Sequence, residues 1–90
     1  MKYRIRRTTQ FKKDVKRAIK RGKNLDHLLL LVQELAEGRP LAARHQDHFL
    51  KGQYREKRDC HIAPDWILIY AVEDDELVLY RTGSHSDLFR

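Results

Sequence analysis

WILIYAVEDDELVLYRT, residues 66–82, decides the fold. Two runs rich in aliphatic and aromatic side chains flank Glu73, Asp74, Asp75 and Glu76. Such runs favour extended backbone, and four acids in a row have no place in a core, so the segment reads as a β-hairpin with its turn at EDDE. The first arm, WILIYAV (66–72), is apolar at every position and must be covered on both faces. The second, ELVLYRT (76–82), is a further strand. Upstream, Ala63, Pro64 and Asp65 form a turn, and GQYREKRDCHI (52–62) has the length of a strand, which completes an antiparallel meander.

The other half of the chain carries a helical period. KYRIR (2–6) alternates as a short strand with Tyr3 and Ile5 on one side. Thr8 or Thr9 then caps a helix whose apolar stripe is Phe11, Val15, Ala18 and Ile19, ended by Gly22. Asn24 caps a second helix with Leu25, Leu28, Leu29, Val32, Leu35 and Ala36 on one stripe, stopped by Gly38 and Pro40. Leu30 and Leu31 widen that stripe. Residues 39–50 lack a period and read as a loop, and the chain ends in a short polar tail. The expected architecture is α+β, with two N-terminal helices packed on one face of a small, mostly antiparallel four-stranded sheet in the order β-α-α-β-β-β. Ninety residues support one core, so residues 1–90 are expected to form a single domain.

Charge is unevenly placed. Residues 1–23 hold eleven Lys and Arg against one acid, Asp14, whereas the remaining 67 hold eight against twelve. A basic block of this kind attracts phosphate polymers or an acidic protein segment. The start, MKYRIRRTTQ, lacks the apolar region of a secretory signal, no run is long enough to span a membrane, and the single cysteine, Cys60, fits a reducing compartment. A cytoplasmic protein without a membrane partner is expected.

The histidines gather late in the chain: His45, His48, His61 and His85 follow residue 44. In the meander His61, Asp65 and Trp66 share one edge of the sheet, and the next hairpin returns Arg81 and His85 to it. Imidazoles with a carboxylate and a guanidinium suit metal-free RNA cleavage, in which a 2′-hydroxyl attacks its own phosphate. One group removes its proton, another protonates the departing 5′-oxygen, and a cation steadies the phosphorane. Histidine serves either proton role because its ordinary pKa is about 6.5. Each residue also has a plain structural reading: His48 as a loop residue, His61 as an edge residue bonded to Asp65, Asp65 as a turn former, Trp66 as core, Arg81 as half of an ion pair, His85 as tail. No HxxxH or HxH pair supports a metal site, and neither metal nor cofactor is expected.

Residues 47–89 closely resemble the YafQ branch of the RelE-like toxins of bacterial toxin–antitoxin systems, through DH.L.G, RD.H..PDWILIY and RTG.H..LF in order, with a looser match at F.KDVK.A.KR (11–21). The resemblance implies a RelE-like fold and a ribosome-dependent mRNA endoribonuclease. By it, His85 is the general acid and His48 the general base; His61 and Asp65 position or share proton work, and Arg81 stabilises the phosphorane. Trp66 and Phe89 shape or stack on the codon. Apart from the resemblance, Lys51 and Arg55 are expected as further substrate-binding residues. The resemblance also implies an acidic, DinJ-like antitoxin, contact with mRNA and ribosomal RNA in the 30S decoding site, and operator DNA bound only through the antitoxin complex. The alternative is a non-catalytic basic module that binds RNA and regulates translation.

Overall fold

A computed structural model describes residues 2–89, with the side chains of Arg44 and His48 outside the description. Along the chain run β1 (Arg4–Arg7), α1 (Thr9–Lys20), α2 (Leu25–Ala36), β2 (His48–Phe49), β3 (Arg58–Ala63), β4 (Trp66–Glu73), β5 (Glu76–Gly83) and α3 (His85–Leu88). The sheet order is β1-β5-β4-β3-β2, with β1 parallel to β5 and the other neighbours antiparallel. Four strands form the expected mixed sheet, and the two-residue β2 extends it at one edge.

The apolar run of β4 is explained by its central place. Trp66, Leu68 and Tyr70 face α1 and α2, meeting Phe11, Ala18, Leu28, Leu31, Val32 and Leu35, while Ile67 and Ile69 face the other way, onto Leu88, Leu50, Tyr54 and Tyr80. Ile67, Leu68 and Ile69 are each 0% exposed, so each contributes roughly 1.5–3 kcal/mol of burial. The second face is thus covered too, by α3 and the 3-10 turn Gly52–Tyr54.

Caps fall where the sequence places them. The Thr8 side chain accepts from the Phe11 N–H, and the Asn24 side chain from the Asp26 N–H. Helix phase differs from expectation in two places. Ile19 is 54% exposed, and on α2 Leu29 and Leu30 face solvent while Leu31 is buried. Within LLLL the spacing alone admits either phase; the sheet selects Leu28, Leu31, Val32 and Leu35, which lie three and four apart.

The strand expected over 52–62 begins only at Arg58. Gly52 (φ 71°) and Glu56 (φ 68°) turn the backbone out of the extended region, and apolar alternation starts only at Cys60 and Ile62. The expected polar tail instead contains a one-turn helix. Ser84 caps α3 in a capping box, its side chain accepting from the Asp87 N–H and the Asp87 carboxylate from the Ser84 N–H. Among the described residues no helix is long and apolar enough to cross a membrane.

A bulge in β5 positions the site. Ile69 pairs with Arg81 and Tyr70 with Leu79, leaving Tyr80 as the extra residue. Residues opposite each other in an antiparallel pair share a face. Arg81 therefore stands on the face of Ile69, the side occupied by α3.

Candidate active site

Asp65, in the turn between β3 and β4, and His85, the first residue of α3, meet at one end of the sheet. The His85 backbone N–H donates to Asp65 Oδ1 at 3.0 Å, and His85 Nδ1 lies 2.9 Å from the same oxygen. A carboxylate oxygen only accepts, so Nδ1 carries the proton and Nε2 is the ring atom left to exchange one. The His85 N–H and ring hold the Asp65 carboxyl below its ordinary pKa, so it stays ionised at neutral pH.

His61 comes to the same place because it pairs with Ile67 and so shares the α3 face of the sheet. Its ring centroid is 5.6 Å from that of His85, nearly edge-on. The His61 carbonyl is 2.7 Å from His45 Nδ1, which fixes the strand end against the 3-10 turn Ala43–His45. The Phe89 ring also stands beside His85, at 6.0 Å, and Tyr54 is edge-on to Phe89 at 5.7 Å. Arg81 Nη1 then reaches Tyr54 Oη at 3.5 Å, a long contact. The result is a row, His61–His85–Phe89–Tyr54–Arg81, with Asp65 behind His85. His85 and Asp65 are 56% and 66% exposed at their side chains, so the row lies open. Two hollows flank it, one of about 350 Å³ walled by Asp65, Trp66, Gly83 and Ser84 and one of about 520 Å³ walled by His45, His61 and Pro64. An open row suits a polymer lying across it better than an enclosed small molecule.

Helix α3 holds His85 in place through its other residues. Leu88 is 2% exposed among Ile67 and Ile69. Arg21 Nη1 donates to Asp87 Oδ2 at 2.7 Å, and Gln53 Nε2 to the Leu88 carbonyl at 3.3 Å. The Arg21 hydrogen bond and the Ser84 N–H hold the Asp87 carboxyl well below the usual carboxylate range.

Several expectations need placing or correcting. Arg81 is in the row, but its Nε and Nη2 donate to Asp14 on α1, at 2.8 and 3.1 Å, and that bond raises its pKa further. Trp66 is a core residue, 3% exposed and packed among the helix-facing side chains, and it reaches the site only as part of the wall of the hollow of about 350 Å³. Its plain reading as core is the one the structure bears out. Lys51 and Arg55 are exposed and flank the turn that presents Tyr54. The proposed role of His48 falls on a side chain outside the described residues; its backbone pairs with Asp59, two residues before His61. Among the described residues no three His, Cys, Asp or Glu side chains stand together as a metal site.

Part of the basic block is already paired. Arg4 binds Asp75, Arg6 binds Glu73 and Glu76, and Arg17 and Arg21 bind Asp14 and Asp87. Lys12, Lys13, Lys16 and Lys20 remain on exposed positions of α1. Sequence reasoning missed Tyr54 and Asp14. An aromatic inside the polar run KGQYREK was a signal for the first; a lone acid among eleven cations was one for the second.

Comparison with known proteins bears on the family and the fold. A family model described as the bacterial toxin of a type II toxin–antitoxin system, YafQ, matches residues 3–90. The mRNA interferase toxin YafQ of Escherichia coli (strain K12) is 46% identical over 81 residues, covering 89% of this chain and 88% of that protein. The crystal structure of YafQ from E. coli strain BL21(DE3) superposes with a TM-score of 0.93 at 42% identity, over 98% of this chain and 99% of that one. YafQ in the E. coli DinJ–YafQ toxin–antitoxin complex gives 0.90 at 42% identity, over the full length of both. From Tyr3 onward, then, the match is continuous in sequence and in fold, and the chain belongs to the YafQ family of type II toxin–antitoxin toxins.

Proposed function

We propose that this protein is an mRNA endoribonuclease of the cytoplasm that cuts message held in the ribosomal decoding site, and that an acidic antitoxin of the DinJ kind silences it. The observation that carries the reading is the Asp65–His85 pair, which leaves His85 Nε2 free in an open row of imidazole, aromatic and guanidinium groups. A curated relative with 46% identity is named an mRNA interferase toxin, and a relative of the same fold is seen in complex with DinJ.

The 2′-oxygen attacks the adjacent phosphorus while its proton passes to an imidazole. The P–O5′ bond breaks, the 5′-oxygen takes a proton from His85 Nε2, and the products are a 2′,3′-cyclic phosphate and a 5′-hydroxyl. With Nδ1–H anchored on Asp65, the ring is oriented before substrate arrives, and each proton transfer is worth about 10²- to 10⁴-fold in rate. The base is His48, as the family resemblance implies, or His61, whose ring lies beside His85; the alanine variant with the larger loss identifies it. Arg81 meets the charge that builds on phosphorus, and Phe89 offers a partly exposed ring to a nucleobase. Lys51, Arg55 and the α1 lysines meet phosphates of message and ribosomal RNA. No metal takes part, and operator DNA is reached only through the antitoxin.

Mapping of mRNA 5′ ends in cells that express the chain tests this directly. Cuts inside reading frames are expected, absent with His85→Ala although that variant still binds ribosomes. Translation arrest by His85→Ala without new 5′ ends would mean a binding module instead of a nuclease.

A further inference from the structure

We propose that Asp14, on α1, is the positioning residue that aims Arg81 at the reacting phosphate. The inference rests on the reading above, in which Arg81 contacts that phosphate.

Asp14 is 2% exposed, an environment in which a carboxylate persists only when it is densely bonded. Its Oδ1 accepts from Gln10 Nε2, Arg17 Nη2 and Arg81 Nη2, each at 3.1 Å, and its Oδ2 from Arg81 Nε at 2.8 Å and the Thr82 N–H at 3.1 Å. The Thr82 bond has a topological cause. Strand β1 pairs with β5 only as far as Leu79, so the β5 edge beyond it lacks a strand partner, and α1 lies along that edge with Asp14 facing it. Capping the edge needs one acceptor, yet the carboxylate also grips two of the five N–H donors of Arg81.

The grip selects a direction. Asp14 occupies the Nε/Nη2 side of the guanidinium, so the donors left over are those at the Nη1/Nη2 end. Nη1 points to Tyr54 Oη, in the row that contains Phe89 and His85. An incoming phosphate is met end-on by that pair, a bidentate geometry lysine does not reproduce. The bulge at Tyr80 puts Arg81 on the α3 face, and Asp14 then determines which way its head turns. Charge remains for catalysis because two guanidinium groups, Arg81 and Arg17, share this one carboxylate.

Single-turnover cleavage of ribosome-bound message, together with ribosome affinity, tests the assignment on Asp14→Asn, Arg81→Ala and the double variant. Asn keeps the shape and an acceptor for Thr82 but loses the charged fork. Asp14→Asn is expected to slow cleavage about 10²-fold, as misplacement of a reacting group does, with ribosome affinity unchanged. In the Arg81→Ala background it should slow cleavage no further, and added guanidinium ion should restore activity to Arg81→Ala only while Asp14 is intact. Independent, multiplying losses in the double variant, or a folded Asp14→Asn with the wild-type rate, overturn the proposal and leave Arg81 as a catalytic residue. Full activity in Arg81→Ala instead overturns the underlying role of Arg81, and this inference with it. Should Asp14→Asn not fold, the Arg81 Nε–H order parameter in the wild-type protein decides: a value near about 0.85 marks a held guanidinium, and one below about 0.6 refutes the clamp.

Discussion

Replacing Leu88 with alanine should detach the site from the sheet without touching any group in the proposed chemistry. Leu88 is 2% exposed and packs on Ile67 and Ile69, each 0% exposed, with Leu50, Tyr54 and Tyr80 around it. Leu→Ala at such positions costs about 2–5 kcal/mol, and a site at the rim, where Leu50 and Tyr54 can close in, belongs in the lower part, about 2–3 kcal/mol. A four-residue helix has almost no stability of its own, so the loss falls on docking of α3. At roughly 1.4 kcal/mol per tenfold, the docking equilibrium weakens about 30- to 150-fold. Hydrogen exchange reads it through two amides, Phe89 N–H, donating to the His85 carbonyl at 2.8 Å, and Leu88 N–H, donating to the Ser84 carbonyl at 3.2 Å. Their protection should fall by that factor, with a smaller change at the β4 amides of Leu68 and Ile69, and cleavage should decline with it. Equal loss of protection in α3 and β4 would show that α3 does not move as a unit. Undiminished cleavage with α3 undocked would show that its position does not matter, and the reasoning would fail.

Two further outcomes follow from the same geometry. The Asp87 carboxyl is held well below its ordinary range by Arg21 and the Ser84 N–H, so the folded state binds fewer protons there than the unfolded one. Its stabilisation is complete above the unfolded carboxylate pKa of about 3.9 and is lost progressively as pH falls from there through the depressed folded-state pKa; thermal midpoints of wild type and Asp87→Asn should therefore differ near neutrality, with the gap beginning to narrow only below about pH 4, and a gap that does not narrow in strong acid would contradict the assignment. Trp66→Phe should lower stability by less than the roughly 3–5 kcal/mol of truncation to alanine and leave cleavage per folded molecule within a few-fold, since the indole is buried and its Nε1 has no hydrogen-bond partner among the described residues; a selective loss of cleavage at unchanged stability would restore Trp66 as a substrate contact.

What was legible in the sequence follows the range of the forces involved. The hairpin of β4 and β5 could be read because an apolar run, an acidic turn and a second apolar run are all local, and the helix starts because Thr8 and Asn24 cap within two or three residues. Asp65 and His85 could be placed at one sheet end because strand order alone carries them there. The phase of α2 was ambiguous because Leu28 to Leu31 are chemically alike and only the sheet distinguishes them. Residues 52–57 resembled a strand in length, but nothing local announced the left-handed backbone at Glu56. The capping box of Ser84 and Asp87 was readable, yet so short a helix needs Leu88 buried on the sheet to exist. Asp14 was hidden for the strongest reason: its partner Arg81 is 67 positions away, joined to it by a bulge that no periodicity reports. The family resemblance marked Trp66 as a substrate contact, but as the first residue of β4 its side chain turns to the helix-covered face, whereas Asp65 stays in the turn before it.

The central claim is that His85 Nε2 hands its proton to the departing 5′-oxygen. Message with sulfur in place of that bridging oxygen at the cut site carries a leaving group that needs no proton, so it isolates this step. On ribosomes programmed with such message, His85→Ala should cleave at nearly the wild-type rate, although the same variant is about 10²- to 10⁴-fold slow on the oxygen substrate. An equal defect on both substrates would contradict the account, because His85 would then act somewhere other than on the leaving group.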